Sequence, residues 1–298
     1  MDNKKITSIV SNDAGAAEII SAYVKNNNNK YVFVLSGPAR KIFKKKIKKK
    51  IKILDLNSAE KISNKLICGT SGKSKIEVKA IEKFKKNNKK TIAIVEHWTN
   101  YKARFLYNKN LVLPDKIWVF DKYAKEKIEK VIKTKIILKK NYYFSEIKNQ
   151  NNKIKVNKIK KNFINILYVS EPISEIKNKK IINYKLSKEY KTLKYFFDNI
   201  EYITKKKYNI IFRLHPLEKN NKYKWIKTFI EDIRISKNKL LIQDIMKSDI
   251  VIGRQTMALV VALKLKKKVV SCIPPEEKRC IIPYKGITEL RDLVKKNN

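Results

Sequence analysis

The chain has 298 residues and a hydrophobic content of 43%, which allow two domains with packed cores and exclude global disorder. Its formal net charge of +44 comes mainly from lysine, since seven of its 71 basic residues are arginine. The lysines are scattered along the whole length, which indicates a drift in composition and not a dedicated nucleic-acid binder. We therefore expect no nucleic-acid partner, although the positive field would attract anionic ligands and anionic membrane surfaces.

Targeting and metal signals are weak. No stretch reaches the roughly 18 apolar residues of a membrane-spanning helix, and the N-terminal residues lack the apolar core of a signal peptide. Cys68, Cys272 and Cys280 have no metal-ligand spacing, and the two histidines are far apart in sequence. The sequence predicts a reduced, cytoplasmic protein without a metal, with room for peripheral contact at the inner face of the membrane.

In the first half of the chain, short apolar runs alternate with helical patterns, which favours parallel strands in βαβ units. Helices are predicted over Gly15–Lys25, Ser74–Lys86 and Lys122–Ile132. Strands are predicted over Lys5–Val10, Tyr31–Leu35, Ile51–Leu54, Leu66–Cys68, Thr91–Val95, Lys116–Phe120 and Lys135–Leu138.

A polar stretch from Glu146 to Lys161 predicts a linker over 148–162, between an N-terminal domain (1–147) and a C-terminal domain (163–298). The alternation then restarts. Strands are predicted over Ile164–Val169, Tyr208–Phe212, Leu240–Ile242, Ile250–Ile252 and Lys268–Cys272. Helices are predicted over Ser187–Thr204, Tyr223–Ile233, Thr256–Leu265 and Thr288–Lys295. The predicted fold class is α/β, with two Rossmann-like domains that face a central cleft in which the substrate binds.

The segment Arg213-Leu214-His215-Pro216 follows a strand-like run in the second half. His215 stands at the carboxyl end of that strand, and Pro216 can open a turn or a helix whose N–H groups bind an anion. Arg213 lies two residues earlier and would face the same side. We predict that these residues bind a phosphate or protonate a leaving group; the alternative is a capped surface histidine.

Two further turns of the second half are candidates for binding the same ligand. Gly253 leads into Gln255 and Thr256, either of which can begin a helix, so that the hydroxyl and free N–H groups suit a phosphate; simple capping is the alternative. Ser170 and Glu171 end the first strand of this half, where they contact a ligand or form a proline-containing turn.

Asn12, Asp13 and Gly15 follow the first strand of the chain. Small residues at this point let the helix begin close to a ligand. Asp13 is an acceptable N-cap residue, but its carboxylate could instead act as a general base towards an acceptor hydroxyl. The glycine spacing of a dinucleotide fingerprint is absent.

Two other strand ends of the first half carry small, polar or aromatic residues. Gly69, Thr70 and Ser71 resemble part of a P-loop, but Ile67 stands where the first glycine is required, so a turn that lines the cleft or binds an anion is predicted instead. Glu96, His97 and Trp98 suit a sugar or an acceptor, although Trp98 fits a core position equally well.

With these residues in place, the chain resembles two-domain glycosyltransferases of the GT-B fold, and among them the bacterial sialyltransferase and polysialyltransferase group. That group carries a His-Pro motif and a Ser/Thr motif in its nucleotide-binding domain. The resemblance implies that His215 and Pro216 contact the phosphate of a CMP-sugar and assist departure of CMP. It also implies that Thr256 holds the same phosphate and that Asp13 is the catalytic base.

The leading hypothesis is a metal-independent glycosyltransferase that needs no cofactor and moves a sugar, with a CMP-linked nonulosonic acid favoured, to a surface glycan. One alternative is a nucleotide-sugar epimerase of the same fold, whose catalysis would depend on carboxylates in the cleft. A CDP-alcohol phosphotransferase is another enzyme with this layout. A non-enzymatic polyanion-binding protein is the third class.

Overall fold

A computed structural model of the protein describes residues 5–47, 51–72, 74–151, 163–173, 184–219, 221–230, 233–238 and 240–297. The chain divides into two compact units, Met1–Glu146 and Ile147–Asn298. No helix of the described ranges combines the length and the apolar character that a membrane crossing requires.

The N-terminal unit is built on a six-stranded parallel sheet in the order β2-β1-β3-β4-β7-β8. These strands are β1 (Ile6–Ser11), β2 (Lys30–Leu35), β3 (Lys65–Cys68), β4 (Lys90–Ile94), β7 (Lys116–Val119) and β8 (Lys135–Leu138). A small antiparallel hairpin joins β5 (Leu106–Tyr107) to β6 (Asn110–Leu111). The helices are α1 (Ala14–Lys25), α2 (Gly37–Lys46), α3 (Leu56–Ile62), α4 (Ile76–Lys86), α5 (Tyr101–Arg104), α6 (Lys122–Glu129) and α7 (Tyr142–Asn151), which ends beyond the unit boundary.

The core of this unit explains why its strands read as continuous apolar runs. Helices pack on the parallel sheet, so central strands such as β1 and β3 are buried almost throughout. One face of α1 contributes Ala16, Ile20 and Val24 to the same core as Phe33. Spacing of three or four residues along α1 places its apolar side chains on that face.

The C-terminal unit contains a second six-stranded parallel sheet, in the order β11-β10-β9-β12-β13-β14. Its strands are β9 (Ile164–Val169), β10 (Tyr208–Arg213), β11 (Arg234–Ile235), β12 (Ile250–Gly253), β13 (Lys268–Ser271) and β14 (Ile287–Glu289). Its helices are α8 (Lys188–Asp198), α9 (Leu241–Lys247), α10 (Met257–Lys264) and α11 (Leu290–Asn297). Counted from β9, this is the Rossmann order 3-2-1-4-5-6.

The structure places four helices of the N-terminal unit, α2, α3, α5 and α7, where the sequence predicted none, and α2 and α3 are the two that follow strand β2 in sequence. Helix α2 begins at Gly37 with a proline in its first turn, but it buries little more than Ala39 and Phe43. Two buried positions among many lysines are too few to show a helical periodicity in the sequence. Helix α3 begins after Asp55, whose carboxylate accepts hydrogen bonds from the N–H groups of Asn57 and Ser58.

The predicted strand Ile51–Leu54 is wrong. This segment forms a single bridge, between Ile53 and Phe33 of the edge strand β2. The N–H of Phe33 donates to the carbonyl oxygen of Lys52 (3.0 Å), and the N–H of Leu54 donates to that of Phe33 (2.8 Å). The capped start of α3 at Asp55 ends the extended segment before further pairs can form.

The predicted strand Leu240–Ile242 is also wrong, because this segment begins helix α9. Ile242 and Ile245 are both buried and lie three residues apart, which is a helical spacing. A short apolar run cannot by itself distinguish a buried strand from the start of a buried helix.

Three predicted helices of the C-terminal unit have different boundaries. Ser187–Thr204 becomes α8 followed by a 3₁₀ turn at Ile200–Tyr202, and Tyr223–Ile233 contains a 3₁₀ helix at Lys224–Thr228. The first residues of Thr288–Lys295 complete strand β14 before α11 begins.

The start of the predicted linker, 148–162, continues helix α7 as far as Asn151, and residues 152–162 lie outside the described part of the chain. The predicted domain boundaries and the cleft between the domains stay predictions. The α/β class with two Rossmann-like domains is confirmed by the two parallel sheets.

Candidate active site

Each sheet has one point where the strand order reverses, and open α/β sheets bind ligands outside the carboxyl ends of the strands at such a point. In the N-terminal unit it lies between β1 and β3, and in the C-terminal unit between β9 and β12. Asn12 and Asp13 follow β1, and Gly69 follows β3. Ser170 follows β9, and Arg254 follows β12.

Asp13 is the N-cap residue of α1, but its side chain makes no capping hydrogen bond. Its carboxylate instead accepts a hydrogen bond from the side-chain amide of Asn12 at 2.7 Å. The Asp13 side chain therefore does not cap α1, although the sequence allowed that role. This half-buried carboxylate is held in place by Asn12 and makes no capping bond, so it can still accept a hydrogen bond or a proton from a ligand.

Asn12 is fixed from two sides. Its side-chain oxygen accepts a hydrogen bond from the Ser36 hydroxyl at 2.8 Å, and its backbone N–H donates to Glu77 Oε1 at 2.9 Å. Gly37 has a φ of +46°, and a Cβ at that position would lie 2.8 Å from the Asn12 side-chain oxygen. Glycine thus satisfies both the backbone conformation and the close approach of Asn12.

Glu77 is a second carboxyl group at this site, and it was not identified from the sequence. It lies in the first turn of α4 and is 2% exposed. Burial raises the pKa of this carboxyl to about 8, and repulsion from Asp13 and Glu96 contributes in the same direction. Its Oε2 atom is buried and makes no hydrogen bond within the described part of the chain.

Glu96 follows β4 and supplies the third carboxyl group. Burial raises its pKa to about 7, although the nearby Arg104 guanidinium opposes the shift. The closest charged atoms of this pair, Arg104 Nη1 and Glu96 Oε1, are 3.9 Å apart. Gly15 allows the approach of Glu96 to helix α1, because a Cβ at position 15 would lie 3.3 Å from Glu96 Cγ.

The next two residues, His97 and Trp98, are held differently. Burial, with the charge of Arg104, lowers the pKa of His97 to about 4, so its ring is neutral near pH 7. Trp98 is 3% exposed and donates its indole N–H to Asp121 at 2.9 Å. Its position is that of a core residue, and the predicted contacts of both side chains with a sugar or an acceptor stay predictions.

The turn after β3 is held by Arg104, whose Nη1 donates to the carbonyl oxygen of Thr70 at 3.0 Å. Ser71 accepts a hydrogen bond from the N–H of Ser74 at 2.9 Å. Gly69 is required by packing, because a Cβ there would lie 2.7 Å from Ala16 Cβ. The same small-residue contact brings α1 against β3, close to the carboxyl cluster.

In the C-terminal unit, the structure brings His215 and Ser170 together. The N–H of His215 donates to Ser170 Oγ at 2.9 Å and equally to Glu218 Oε2 at 2.9 Å. The exposed Pro216 opens a turn and not a helix, so no helix N-terminus follows it as an anion site. The ring nitrogen Nδ1 of His215 accepts a hydrogen bond from the N–H of Leu217 at 3.2 Å.

Arg213 faces a different set of residues. Its guanidinium pairs with the fully buried Asp244 and donates to the carbonyl oxygen of Asn238 at 3.0 Å and to Ser236 Oγ at 3.4 Å. This ion pair ties β10 to α9 and leaves less of the guanidinium for a ligand. A phosphate contact from Arg213 stays a prediction.

Arg254 organises the turn after β12. Its guanidinium makes two hydrogen bonds with Glu277, at 2.9 and 3.1 Å, and a third with Thr192. Glu171 Oε2 lies 3.6 Å from Arg254 Nε, and burial raises the pKa of Glu171 while Arg254 opposes the shift. Neither of these two atoms has a hydrogen-bond partner within the described residues.

Thr256, and not Gln255, is the N-cap residue of α10, and its hydroxyl accepts a hydrogen bond from the N–H of Ala258 at 3.4 Å. Gln255 accepts a long hydrogen bond, 3.5 Å, from the N–H of Ile281. Gly253 packs against β9, where an added Cβ would lie 2.8 Å from Val169 Cγ2. These contacts account for the turn, and its phosphate-binding role stays a prediction.

No cluster of three or more His, Cys, Asp and Glu side chains in the described ranges is arranged to hold a metal ion. No protein-family model matches the chain, and no curated protein matches it by sequence.

Solved structures share its fold. The MnaA protein of S. aureus with UDP aligns with a TM-score of 0.66 and 10% identity over 99% of this chain and 87% of that one. A UDP-GlcNAc 2-epimerase from Neisseria meningitidis, bound to UDP-GlcNAc, aligns with a TM-score of 0.65 and 11% identity over 98% and 90%. A Listeria monocytogenes protein assigned as a UDP-N-acetylglucosamine 2-epimerase aligns with a TM-score of 0.65 and 13% identity, over 100% of this chain and 87% of that one. At these identities the likeness shows the fold alone, which is of the GT-B class.

Proposed function

We propose that the protein is an enzyme that binds a nucleotide sugar and epimerises a carbon of its sugar ring by proton transfer. The observation that carries this proposal is the cluster of Asp13, Glu77 and Glu96 at the carboxyl end of the N-terminal sheet. The pKa values of Glu77 and Glu96 lie at about 8 and about 7. General acids and bases work best when their pKa lies near the operating pH.

Epimerisation breaks a C–H bond and forms a new one on the opposite face of the same carbon. It therefore needs one group that accepts the proton and another that returns a proton. In the carboxyl cluster, Asp13 suits the base, and Glu77, which is protonated near pH 7, suits the acid. Glu96, with its pKa of about 7, can take either part.

The C-terminal unit would bind the nucleotide. Ser170, His215 and Thr256 follow β9, β10 and β12 at the carboxyl edge of a sheet in the Rossmann order, where nucleotides bind in this fold. UDP and UDP-GlcNAc are bound in two of the proteins that share the fold, so UDP-GlcNAc is the first substrate to test.

The test is to incubate the protein with UDP-GlcNAc in D₂O without any acceptor and to follow the sugar protons by NMR. An epimerase gives a second set of sugar signals and replaces one C–H by C–D. Asp13→Asn is expected to abolish both the exchange and the epimerisation while UDP still binds, because it removes the base. Glu77→Gln is expected to abolish the epimerisation, because the amide keeps the side-chain shape but cannot return the proton. Absence of both epimerised sugar and deuterium, with UDP bound, would refute the assignment.

A second candidate is the glycosyltransferase that the sequence favoured, and the position of Asp13 supports it. The carboxylate is held by Asn12 and not used for capping, as a base towards an acceptor hydroxyl requires. Calorimetry with CMP and UDP separates the donors. No binding of CMP, or the same CMP affinity in His215→Ala, would exclude the CMP-sugar donor.

A further inference from the structure

Glu218 is a buried carboxylate that accepts four hydrogen bonds. The side chain has no solvent exposure. Its Oε2 accepts from the hydroxyl of Ser170 and from the N–H of His215 (2.9 Å), and its Oε1 accepts from Lys222 Nζ (2.8 Å) and from the Tyr223 hydroxyl (2.7 Å). Four donors from three segments therefore converge on one side chain.

These contacts close the turn that carries the imidazole. The N–H of Glu218 donates to the carbonyl oxygen of His215 at 2.9 Å, and the Glu218 carboxylate accepts a hydrogen bond from the N–H of His215. Inside this turn, the N–H of Leu217 donates to His215 Nδ1 at 3.2 Å. An Nδ1 that accepts a hydrogen bond carries no proton, so the neutral ring carries its proton on Nε2.

The same carboxylate also joins two strand ends. Ser170 and His215 follow the neighbouring parallel strands β9 and β10, whose last residues, Val169 and Arg213, are register partners. Ser170 Oγ donates its one hydrogen to Glu218 and also lies 3.2 Å from the carbonyl oxygen of Arg213. Loss of the carboxylate would free the turn from β9 and remove the constraint on the imidazole.

We propose that Glu218 is a positioning residue, which holds the His215 turn against Ser170 and thereby fixes the imidazole as the Nε2–H tautomer, a hydrogen-bond donor for a phosphate oxygen of the nucleotide. The inference rests on the proposed function for its ligand. The position and tautomer of the ring are properties of the free protein and can be measured without any nucleotide.

The chain has two histidines, so ¹⁵N NMR of histidine-labelled protein reports on each ring separately. In mildly alkaline buffer, where imidazole is neutral, wild-type His215 is expected to show the distinct Nδ1 and Nε2 shifts of the Nε2–H tautomer. In Glu218→Gln, the amide NH₂ group would face hydrogen-bond donors and could not hold the turn in place. The two tautomers of His215 would then both be populated, and the Nδ1 and Nε2 shifts should move towards each other. The signals of His97, in the other unit, should not move.

Glu189→Gln is the matched control, because Glu189 is a buried glutamate that also pairs with Lys222 (2.8 Å) but makes none of the described contacts with His215. It should leave the His215 signals unchanged. A wild-type ring with its proton on Nδ1 would overturn the proposal, whether or not Glu218→Gln folds. Unchanged His215 shifts in a folded Glu218→Gln protein would also overturn it.

Calorimetry with UDP provides the functional readout. Glu218→Gln is expected to bind UDP roughly tenfold more weakly, which corresponds to one hydrogen bond to a charged group. If wild-type protein binds no UDP, the proposed nucleotide site fails, but the NMR result still decides the role of Glu218. Full UDP affinity in Glu218→Gln would overturn the link between this residue and nucleotide binding.

Discussion

Replacement of Glu77 by glutamine should change how the stability of the protein depends on pH. The side chain is 2% exposed, and its pKa is raised by burial to about 8 from an ordinary value of 4.5. The glutamine side chain would keep an oxygen for the N–H of Asn12, which now lies 2.9 Å from Glu77 Oε1. The substitution therefore removes the ionisation and preserves the hydrogen bond.

The direction of the effect follows from proton binding. Between pH 4.5 and about 8, the folded protein keeps the proton of Glu77, whereas the unfolded chain loses it. The free energy of unfolding of wild type therefore falls as the pH rises through this window, by about 1.4 kcal/mol for each pH unit. Over the whole window the loss is at most about 5 kcal/mol, and Glu77→Gln should not show it.

Urea unfolding at a series of pH values from acidic to mildly alkaline measures this difference. Wild type and Glu77→Gln should be similar at the acidic end, and the variant should be the more stable protein at the alkaline end. Glu82→Gln is the control, because Glu82 lies on the same helix but is partly exposed beside Lys86. Parallel pH curves for wild type and Glu77→Gln would refute the elevated pKa and with it the role of Glu77 as an acid.

Substitutions at three other residues test individual contacts by urea unfolding. Asp244→Ala leaves Arg213 without its buried partner and should destabilise the protein by about 3–5 kcal/mol; a loss below about 1 kcal/mol would contradict the ion pair. Gly253→Ala should lower the free energy of unfolding by about 1–3 kcal/mol, because the new Cβ would lie 2.8 Å from Val169 Cγ2. An unchanged stability would contradict this tight packing of Gly253 against β9. Thr256→Ala should lower the free energy of unfolding by about 1 kcal/mol through loss of the N-cap hydrogen bond, and Thr256→Ser should retain the wild-type stability. Equal stability of the wild type and both variants would exclude a stabilising cap at Thr256.

Most strands were predictable because both faces of a parallel sheet are buried, so β1 and β9 are continuous apolar runs between turn signals. The errors occurred where that signal is ambiguous. Helix α9 begins with a short apolar run that reads as a strand, and α2 buries too few residues to show a periodicity in a lysine-rich segment. In both helices the pattern of buried residues is too short to distinguish a helix from other structure on the sequence alone.

The candidate site was predictable only in part. Asp13 and His215 stand directly after strand-like runs, which made their positions visible in the sequence. The sequence could not show that the Asp13 carboxylate avoids capping, because that depends on Asn12 and on Ser36 from another strand end. Glu77 did carry a signal, since it lies four residues before Ile81, on the buried face of α4.

The distribution of the acidic residues adds a reason to regard Glu77 as functional. The chain has 27 acidic residues against 71 basic ones, so cations are plentiful around any carboxylate. Buried acids elsewhere use them: Glu60 pairs with Lys89 (2.6 Å), Glu189 pairs with Lys222 (2.8 Å), and Asp244 pairs with Arg213. Glu77 has no ion pair within the described residues, and the charges that act on it are those of other acids. A buried carboxyl group without a cation costs stability. Under the proposed function, Glu77 would remain unpaired for proton transfer at the carboxyl cluster, because a cation beside it would lower its pKa and make it a poorer general acid near pH 7.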